Sequence, residues 1–530
     1  MVTHWWKGAV IYQIYPRSFF DTDGDGVGDL QGVTDKLNYV ASLGVDGIWL
    51  SPFFTSPMRD FGYDVADYYD VDPLFGTLAD FDALLGRAHA LGLKVIIDQV
   101  YSHTSDRHAW FQQSRSGRDA DRADWYVWAD AQPDGSPPNN WLSMFGGPAW
   151  SWDTRRRQYY LHNFLAEQPD LNFHNPAVQD AILDVARFWL DRGVDGFRLD
   201  VANYYFHDTN LPDNPPSGVA DPSRPYHFQR HLHNRSRPEN LDFLARLRTL
   251  IDSYDDRMTV AEIASSAPIE RSIEYTEGDQ HLHTAYNFKL LEAGRLSAGL
   301  IRSALDQWHS RDAWPSWSFS NHDVKRVLTR WGGRDGGPDM AKLLIALLCS
   351  LRGTVFVYQG EELGLPQADV PFEKLQDPEA IRFWPDNLGR DGCRTPMPWQ
   401  ARAAHAGFSS AQPWLPVDAR HEALAVDVQE IDPGSTLNFA RAFLAFRRGL
   451  PALRDGDVVF HDAPEPLLVF ERRLPGAAIL CGFNLSGAPA RFELHAGLDG
   501  GLEWASGLAA TRTGDGIEMP AHGGFFLRLE

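Results

Sequence analysis

The chain has 530 residues, which is too long for one small hydrophobic core. This length predicts two or three domains. Its formal net charge is −22. This charge argues against nucleic acid and anionic membranes as partners, because both are bound through clustered Lys and Arg. A small neutral substrate is easier to reconcile with it.

The three cysteines, Cys349, Cys393 and Cys481, are far apart and odd in number, which predicts reduced thiols rather than disulfides. The N-terminal segment MVTHWWKGAVIYQIYP lacks the charged and apolar regions of a signal peptide. No run reaches the roughly 18 apolar residues of a membrane span. We therefore expect a cytoplasmic protein, either a monomer or a homodimer.

Residues 19–32, FFDTDGDGVGDLQG, resemble the calcium loop of an EF-hand. The oxygen ligands that the spacing offers are the carboxylates of Asp21, Asp23, Asp25 and Asp29 and the backbone carbonyl of Val27. Gly32 stands where an EF-hand carries its bidentate Glu, and an aromatic, β-branched strand precedes the loop instead of a helix. The pattern predicts a structural divalent-cation site rather than a sensor. A plain acidic turn is the alternative.

Short apolar strands alternate with amphipathic helices along the chain. The predicted strands are 9–15, 47–51, 94–100, 196–201, 258–263, 284–288, 317–321 and 354–360. The clearest helices between them are 32–44, 78–92, 177–193 and 339–353. Eight such strands predict an α/β fold, a parallel (β/α)8 TIM barrel. An open doubly wound sheet is the second choice, but no GxGxxG follows the first strand.

Two connections are too long for simple barrel loops. We predict that residues 104–174, after the third strand, form an inserted subdomain, and that 202–240 form a polar loop excursion. The barrel then comprises 1–103 and 175–455. Residues 456–530 show short strands and turns and predict a C-terminal antiparallel β-sandwich domain.

Catalytic groups of such barrels lie at the carboxyl ends of the strands. The polar residues at these predicted ends are Asp60, Tyr63, Asp64, Asp98, His103, Arg198, Asp200, Glu262, His322, Asp323, Glu361 and Glu362. Arg198 and Asp200 are two residues apart on a strand, so both side chains face the same way. We expect Asp200, Glu262 and Asp323 to converge over the barrel mouth.

Crowded carboxylates cannot all ionise easily, so the pKa of one of them rises. A carboxyl with a raised pKa provides a general acid and an ionised neighbour provides a nucleophile, which together can cleave a glycosidic bond. Arg198 would hold Asp200 ionised, and His103 and His322 could hydrogen-bond sugar hydroxyls. Each residue alone also has an ordinary structural explanation, such as a helix cap. We treat Asp98 mainly as a brace and Asp64 and Glu361 as structural.

Seven motifs carry a resemblance to a known family. They are DTDGDGVGDL (21–30), DQVYSH (98–103), QPDLN (168–172), GFRLD (196–200), AEI (261–263), FSNHD (319–323) and RDGCRTPMPW (390–399). Together they resemble the α-amylase-superfamily glycoside hydrolases, in the α-glucosidase and oligo-1,6-glucosidase branch. The resemblance covers essentially the whole chain.

The resemblance implies a role for each residue around the cleaved glucose. Asp200 would be the nucleophile that forms a covalent β-glucosyl enzyme, Glu262 the general acid and then base, and Asp323 the ligand of the 2- and 3-hydroxyls. The other implied contacts are Arg198, His103 and His322 around the glucose, Asp60 and Arg390 on its 4-hydroxyl, and Tyr63 on its ring. Such a site is exo-acting and retains the anomer, with carboxylates about 5–5.5 Å apart.

In this branch the acidic loop holds a structural Ca²⁺ or Mg²⁺, so the resemblance implies such an ion at the loop ligands named above. Two residues depart from common family patterns. Ser102 replaces an Asn that ligates calcium in α-amylases, so we expect that second calcium site to be absent. Val201 follows the nucleophile, where Val often accompanies α-1,6 acceptance, and it gives a slight preference for that linkage.

We therefore expect an exo-acting, retaining α-glucosidase on short α-glucosides of the maltose or isomaltose type, with transglucosylation when an acceptor competes with water. The alternatives in the same superfamily are a sucrose isomerase, a trehalose synthase and an α-amylase. No RLDRD-type loop supports the isomerase, and QPDLN and Ser102 argue against the amylase. A non-catalytic binding subunit is disfavoured because all three carboxylates are present.

Overall fold

The computed structural model describes residues 4–219, 224–308, 312–333, 336–494, 498, 500–504 and 507–529. Small parts of the predicted excursion and of the predicted C-terminal domain therefore lie outside the described residues. The strands are β1 (Val10–Ile14), β2 (Gly47–Leu50), β3 (Phe54–Thr55), β4 (Asp67–Val71), β5 (Lys94–Gln99), β6 (Trp128–Ala129), β7 (Trp150–Asp153), β8 (Gln158–Leu161), β9 (Gly196–Leu199), β10 (Met258–Ile263), β11 (Thr284–Asn287), β12 (Ser316–Ser318), β13 (Thr354–Tyr358), β14 (Asp457–Phe460), β15 (Leu467–Leu474), β16 (Ala477–Asn484), β17 (Ala490–Glu493), β18 (Gly500–Trp504), β19 (Thr511–Thr513), β20 (Gly516–Met519) and β21 (Gly524–Leu529). The α-helices are α1 (Leu30–Ser42), α2 (Leu78–Ala90), α3 (Ala109–Ser114), α4 (Pro176–Asp191), α5 (Asn240–Ile251), α6 (Pro268–Thr276), α7 (Phe288–Leu291), α8 (Ala298–Asp306), α9 (Val327–Gly332), α10 (Pro338–Ser350), α11 (Pro378–Phe383), α12 (Ala419–Glu422), α13 (Val426–Glu430), α14 (Thr436–Arg448) and α15 (Pro451–Asp455).

Eight parallel strands form the central sheet in the order β11-β10-β9-β5-β2-β1-β13-β12. Its two edges meet, because Ala285 and Pro315 form a parallel bridge and the hydroxyls of Thr284 and Ser316 lie 2.7 Å apart. Each of the eight predicted strands overlaps one barrel strand. The predicted (β/α)8 barrel is therefore confirmed, and the open doubly wound sheet is wrong.

Helix caps explain where the helices around the barrel begin. Asp29 accepts a hydrogen bond from the backbone NH of Gly32, so α1 begins two residues before the predicted helix. Thr77 and Asp80 form a capping box on α2. Helix α10 is buried almost all round, as its apolar sequence predicts.

Between β5 and α4 lie α3 and a three-stranded antiparallel sheet in the order β6-β8-β7. At the C-terminus, a five-stranded and a three-stranded antiparallel sheet share a core in which Val469 and Phe525 of one pack with Phe492 and Ile517 of the other. The exact predicted domain limits stay predictions. Among the described residues, no helix has both the length and the apolarity needed to cross a membrane.

Candidate active site

Three carboxylates gather at the carboxyl ends of the barrel strands. Asp200 directly follows β9, Glu262 lies near the end of β10, and Asp323 follows β12. Arg198 on β9 bonds two of them: its Nη1 lies 2.6 Å from Oδ1 of Asp200, and its Nη2 donates to Oε2 of Glu262. Asp200 and Glu262 are thus held together by one guanidinium at the barrel mouth.

Arg198 is fully buried, and its neighbours keep it charged. Its Nη1 also lies 2.8 Å from Oδ1 of Asp98, and its Nη2 lies 2.8 Å from the hydroxyl of Tyr286. Burial alone would lower the pKa of Arg198, but Asp98 and Glu262 outweigh burial and raise it well above its usual range. Asp98 is therefore a brace for the cation, as the sequence predicts.

Glu262 is the carboxyl group with the properties of an acid. Burial raises its pKa well above the ordinary value, and Arg198 opposes this rise. The nearby carboxylates of Asp200, Asp323 and Asp98 raise the pKa further. A carboxyl that keeps its proton near neutral pH can donate that proton to a leaving oxygen.

Asp323 has the opposite properties. Burial alone would raise its pKa, but the positive charges of Arg394 and Arg390 help to lower it below the usual range. Arg394 Nη2 lies 2.7 Å and Arg390 Nη1 lies 3.4 Å from its Oδ1. The pKa values of Glu262 and Asp323, two carboxyls at the same barrel mouth, are therefore shifted in opposite directions. Glu262 is suited to act as an acid, and Asp323 stays ionised.

His322 and Tyr63 form a stacked pair beside these carboxylates. Their ring centroids are 5.4 Å apart with an interplanar angle of 5°. Burial lowers the pKa of His322 to about 3, so the ring is neutral at pH 7. Gln13 donates to its Nδ1 at 2.8 Å, which leaves the ring hydrogen on Nε2, 2.5 Å from the Tyr63 hydroxyl and 3.1 Å from Asp323. The Tyr63 ring therefore contacts His322, and the guanidinium carbon of Arg198 lies 5.8 Å from its centroid.

Asp60 and Arg390 meet across the end of the site. Arg390 Nη2 lies 2.8 Å from Oδ1 of Asp60 and 2.9 Å from Oδ1 of the buried Asp377. Gln168 Nε2 lies 3.2 Å from the other carboxylate oxygen of Asp60. Asp64 accepts the backbone NH of Asp60 at 3.0 Å and so braces this loop.

His103 contacts the same loop. Its Nε2 lies 3.0 Å from the carbonyl oxygen of Tyr63 and 3.1 Å from Gln168, and its Nδ1 lies 2.8 Å from the hydroxyl of Ser102. Its ring contacts Phe164, with centroids 5.1 Å apart. Burial lowers its pKa, so His103 is a neutral ring at pH 7.

The backbone is strained directly after Asp200. Val201 has a φ of 33°, a conformation that is rare for a β-branched residue. Its side chain packs in an apolar cluster with Phe145, Phe164 and Tyr204. Strain of this kind persists where the surrounding structure enforces it, most often at functional sites.

The acidic loop places three carboxylates together. Ligand oxygens of Asp21, Asp23 and Asp29 all lie within 4.8 Å of one another, and Asp25 is not part of this group. Asp25 instead accepts the backbone NH of Val27 at 2.7 Å. None of the ion pairs found between described side chains includes the three grouped carboxylates, so the donor set fits a hard cation such as Ca²⁺ or Mg²⁺.

Comparison with known proteins identifies the family. The family model described as alpha amylase, catalytic domain, matches residues 13–456. The chain belongs to the α-amylase family. A probable alpha-glucosidase of Rhizobium meliloti (strain 1021) is 54% identical over 538 residues, covering 99% of this chain and 97% of the relative. An oligo-1,6-glucosidase of Heyndrickxia coagulans is 38% identical, covering 93% and 94%. The crystal structure of an alpha-glucosyl transfer enzyme has a TM-score of 0.97 at 54% identity and covers 100% of both chains.

These likenesses confirm the predicted membership of the α-amylase family in its α-glucosidase branch. The structure brings the predicted site residues together, while their individual roles stay predictions. Three residues of the same site were not predicted: Gln168, Asp377 and Arg394. Gln168 and Arg394 lie inside the motifs QPDLN and RDGCRTPMPW, which could have indicated them. Asp377 has no such signal in the sequence.

Proposed function

We propose that the protein is an exo-acting, retaining α-glucosidase that releases terminal glucose from short α-glucosides. The observation that carries this proposal is the guanidinium of Arg198, which Asp200 and Glu262 share. Sharing one guanidinium fits the short separation of about 5–5.5 Å between the two carboxyls of retaining enzymes.

The chemistry proceeds in two steps. Asp200 attacks the anomeric carbon while Glu262 gives its proton to the leaving oxygen, and the bond to the aglycone breaks as the glucosyl ester forms. Glu262 then takes a proton from water, which attacks the ester and releases glucose with the original anomeric configuration. Asp323, held as an anion by Arg394 and Arg390, binds ring hydroxyls and supports the positive charge that develops on the sugar.

The end of the pocket supports exo-action. Asp60 and Arg390 form a buried ion pair of 2.8 Å, with side chains that are 6% and 11% exposed. Charged groups at that place can bind the 4-hydroxyl of a terminal glucose and leave no path for a longer chain. Neutral His103 and His322 add hydrogen-bonding groups beside the same sugar.

An alcohol in place of water would give transglucosylation from the same glucosyl enzyme. The specific support is the 54% identity with a solved alpha-glucosyl transfer enzyme. The apolar cluster of Phe145, Phe164, Val201 and Tyr204 adjoins the nucleophile and offers a dry wall for the aglycone or acceptor. A sucrose-isomerase or trehalose-synthase type of transfer is the alternative outcome of the same chemistry.

We further propose that the acidic loop holds a structural Ca²⁺ or Mg²⁺ through Asp21, Asp23 and Asp29, with the Asp25 carboxylate and the Val27 carbonyl as further ligands. The support is the convergence of the first three carboxylates. Gly32 also argues against an EF-hand, because a Cβ there would lie 2.0 Å from the carbonyl oxygen of Phe20. An EF-hand Glu has no room at that position.

We also propose a cytoplasmic location, with the chain as a monomer or homodimer. Cys349, Cys393 and Cys481 are all buried free thiols. Burial raises the pKa of Cys349 and of Cys393 to about 12, so these groups stay protonated and unreactive. Thiols of this kind are usual in a reducing compartment.

The test is a panel of maltose, isomaltose, sucrose, trehalose and soluble starch, with products separated by chromatography and the first-formed anomer identified by NMR. Release of α-glucose from a disaccharide, with starch nearly untouched, is the expected result. Isomaltulose from sucrose, or interconversion of maltose and trehalose, would assign the protein to the isomerases instead. No turnover of any substrate would contradict the enzymatic proposal.

A further inference from the structure

The described residues of the loop excursion, 202–219 and 224–240, form a segment that we call the strap. It begins directly after Asp200 and Val201 at the barrel mouth. One side of it is bound to residues 139–163, which include β7 and β8. The contacts on that side are Trp141 Nε1 to the carbonyl of Pro212 at 2.8 Å, Gln229 Nε2 to the carbonyl of Asn140 at 2.6 Å, and Asn234 Nδ2 to Oδ1 of Asn163 at 2.8 Å.

Towards α11, an ion pair joins the strap to the loop after β13. Arg224 Nε lies 2.8 Å from Oε1 of Glu379, and Nη2 lies 3.1 Å from Oε2, which is the bidentate geometry of a strong charge-assisted pair. The Glu379 side chain is only 6% exposed, and Asn387 donates to its Oε1 at 2.9 Å. Of the ion pairs between described residues, this is the pair that joins the strap to the loop after β13.

Glu379 belongs to α11, and this short helix also reaches the sugar site. Asp377 caps α11 by accepting the backbone NH of Glu379 at 3.1 Å. The same Asp377 holds Arg390, which bonds Asp60. A Cβ on Gly146 would lie 2.6 Å from the Phe383 ring, so the end of α11 packs against the segment that binds the strap's first side.

The barrel mouth is therefore surrounded by three segments in contact: residues 139–163, the strap and α11. We propose that the Arg224–Glu379 ion pair fastens this ring and is a specificity-determining contact that limits the substrate to about two sugar units. The proposal rests on the proposed α-glucosidase function and adds the residue pair that sets its chain-length limit. Opening the pair frees the strap from α11, so that the barrel mouth can widen enough to admit a third sugar unit.

Arg224→Ala is the better of the two possible single substitutions. In a Glu379 variant, Arg224 could turn to Glu292, since burial raises the pKa of Glu292 and the nearby charge of Arg224 opposes that rise. The Arg224 side chain is 37% exposed, so its truncation removes little buried surface, and Glu379 keeps the hydrogen bond from Asn387. The matched control is Asp82→Ala, which breaks another bidentate pair, to Arg192 at 3.1 and 3.0 Å, on the outer helices of the barrel.

The experiment compares kcat/KM for the disaccharide that the enzyme prefers with kcat/KM for the trisaccharide of the same linkage. In Arg224→Ala the trisaccharide-to-disaccharide ratio is expected to rise roughly tenfold, within the range that pocket contacts discriminate. Turnover of the disaccharide and the ratio in Asp82→Ala should stay at parental values. The charge-swapped double variant Arg224→Glu, Glu379→Arg should restore the parental ratio. An unchanged ratio in Arg224→Ala would overturn the proposal.

Hydrogen exchange separates this proposal from the proposed function. Arg224→Ala should speed exchange of strap amides over 224–240, whereas Asp82→Ala should leave them unchanged. Unchanged strap exchange in Arg224→Ala overturns the fastening role, whatever the activity. If the parental enzyme cleaves no disaccharide, the proposed function fails and the specificity claim fails with it.

Discussion

The protein contains two groups of acidic side chains with opposite surroundings. At the barrel mouth, Asp200 and Glu262 share the buried Arg198, and Asp323 lies against Arg394 and Arg390. In the acidic loop, Asp21, Asp23 and Asp29 converge, and no ion pair between described residues includes any of them. The loop carboxylates accept backbone NH groups instead, such as those of Gly24 and Gly26.

The difference shows that neighbouring charges, rather than the carboxylates themselves, decide the chemistry. Fixed guanidiniums at the mouth keep one carboxyl ionised, while burial and adjacent carboxylates keep another protonated, and this division is what general acid catalysis needs. In the loop, Asp21, Asp23 and Asp29 form no ion pair with a described cationic side chain, which suits a divalent ion. Substitutions at the barrel mouth should therefore change mainly the reaction rate, and substitutions in the acidic loop mainly the stability of the fold.

The largest effect is expected for Asp200→Asn. The amide cannot form the glucosyl ester, so kcat should fall by several orders of magnitude while the fold stays intact. Steady-state kinetics with the preferred disaccharide and circular dichroism of both proteins would measure this. Near-normal turnover would remove Asp200 as the nucleophile.

Glu262→Gln should have the next largest effect. Loss of the general acid should lower kcat/KM, which reports the glucosylation step, by about 10²–10⁴-fold with a disaccharide and much less with p-nitrophenyl α-glucoside, whose leaving group needs no proton. In the parental enzyme, kcat/KM should fall as the pH rises through the raised pKa of Glu262, above the ordinary carboxyl range. That alkaline limb should vanish in the variant when p-nitrophenyl α-glucoside is used. An equal loss for both substrates would contradict the assignment.

Removal of a divalent ion by EDTA should affect stability more than rate. A ligand that binds only the folded state raises its stability by mass action, so the melting temperature should fall by a few degrees. The intrinsic kcat below the transition should change little, because the loop lies off the chemistry. Asp21→Asn should reproduce the lower melting temperature without EDTA. A melting temperature that stays unchanged both after EDTA treatment and in this variant would count against a bound cation.

The smallest effect is expected for Val201→Thr. The residue follows the nucleophile and packs in the apolar cluster beside the aglycone side, so it influences linkage preference rather than the chemical step. The ratio of kcat/KM for isomaltose to that for maltose should shift toward maltose. Val201→Ile would serve as an apolar control, and an unchanged ratio in the Thr variant would discard the linkage argument.

Much of the fold could be predicted from local sequence. The barrel strands are short β-branched runs between helices with a 3.6-residue apolar period, and this alternation is a strong signal. The strands β18 and β19 of the C-terminal domain have no clear strand signal in the sequence. All three residues of β19 are exposed, and β18 begins with two glycines, so neither offers the apolar alternation that marks a strand.

The convergence of Asp200, Glu262 and Asp323 could be predicted because barrel topology brings strand ends together. The residues that hold the site in place could not be predicted. Asp377 lies in a loop, 13 residues before the Arg390 that it holds, and neither periodicity nor a motif marks it. The Arg224–Glu379 pair joins residues 155 positions apart, so only the folded chain shows it.

In the proposed mechanism, Asp200 carries the glucosyl group while Glu262 transfers the proton. The most direct measurement is to trap the intermediate with a 5-fluoro-α-glucosyl fluoride, digest the protein and locate the added mass by peptide mass spectrometry. We expect one fluoroglucosyl adduct, on Asp200, and no label in the Asp200→Asn variant. An adduct on Asp323 or Glu262, or turnover of the fluoride to the inverted anomer, would contradict it.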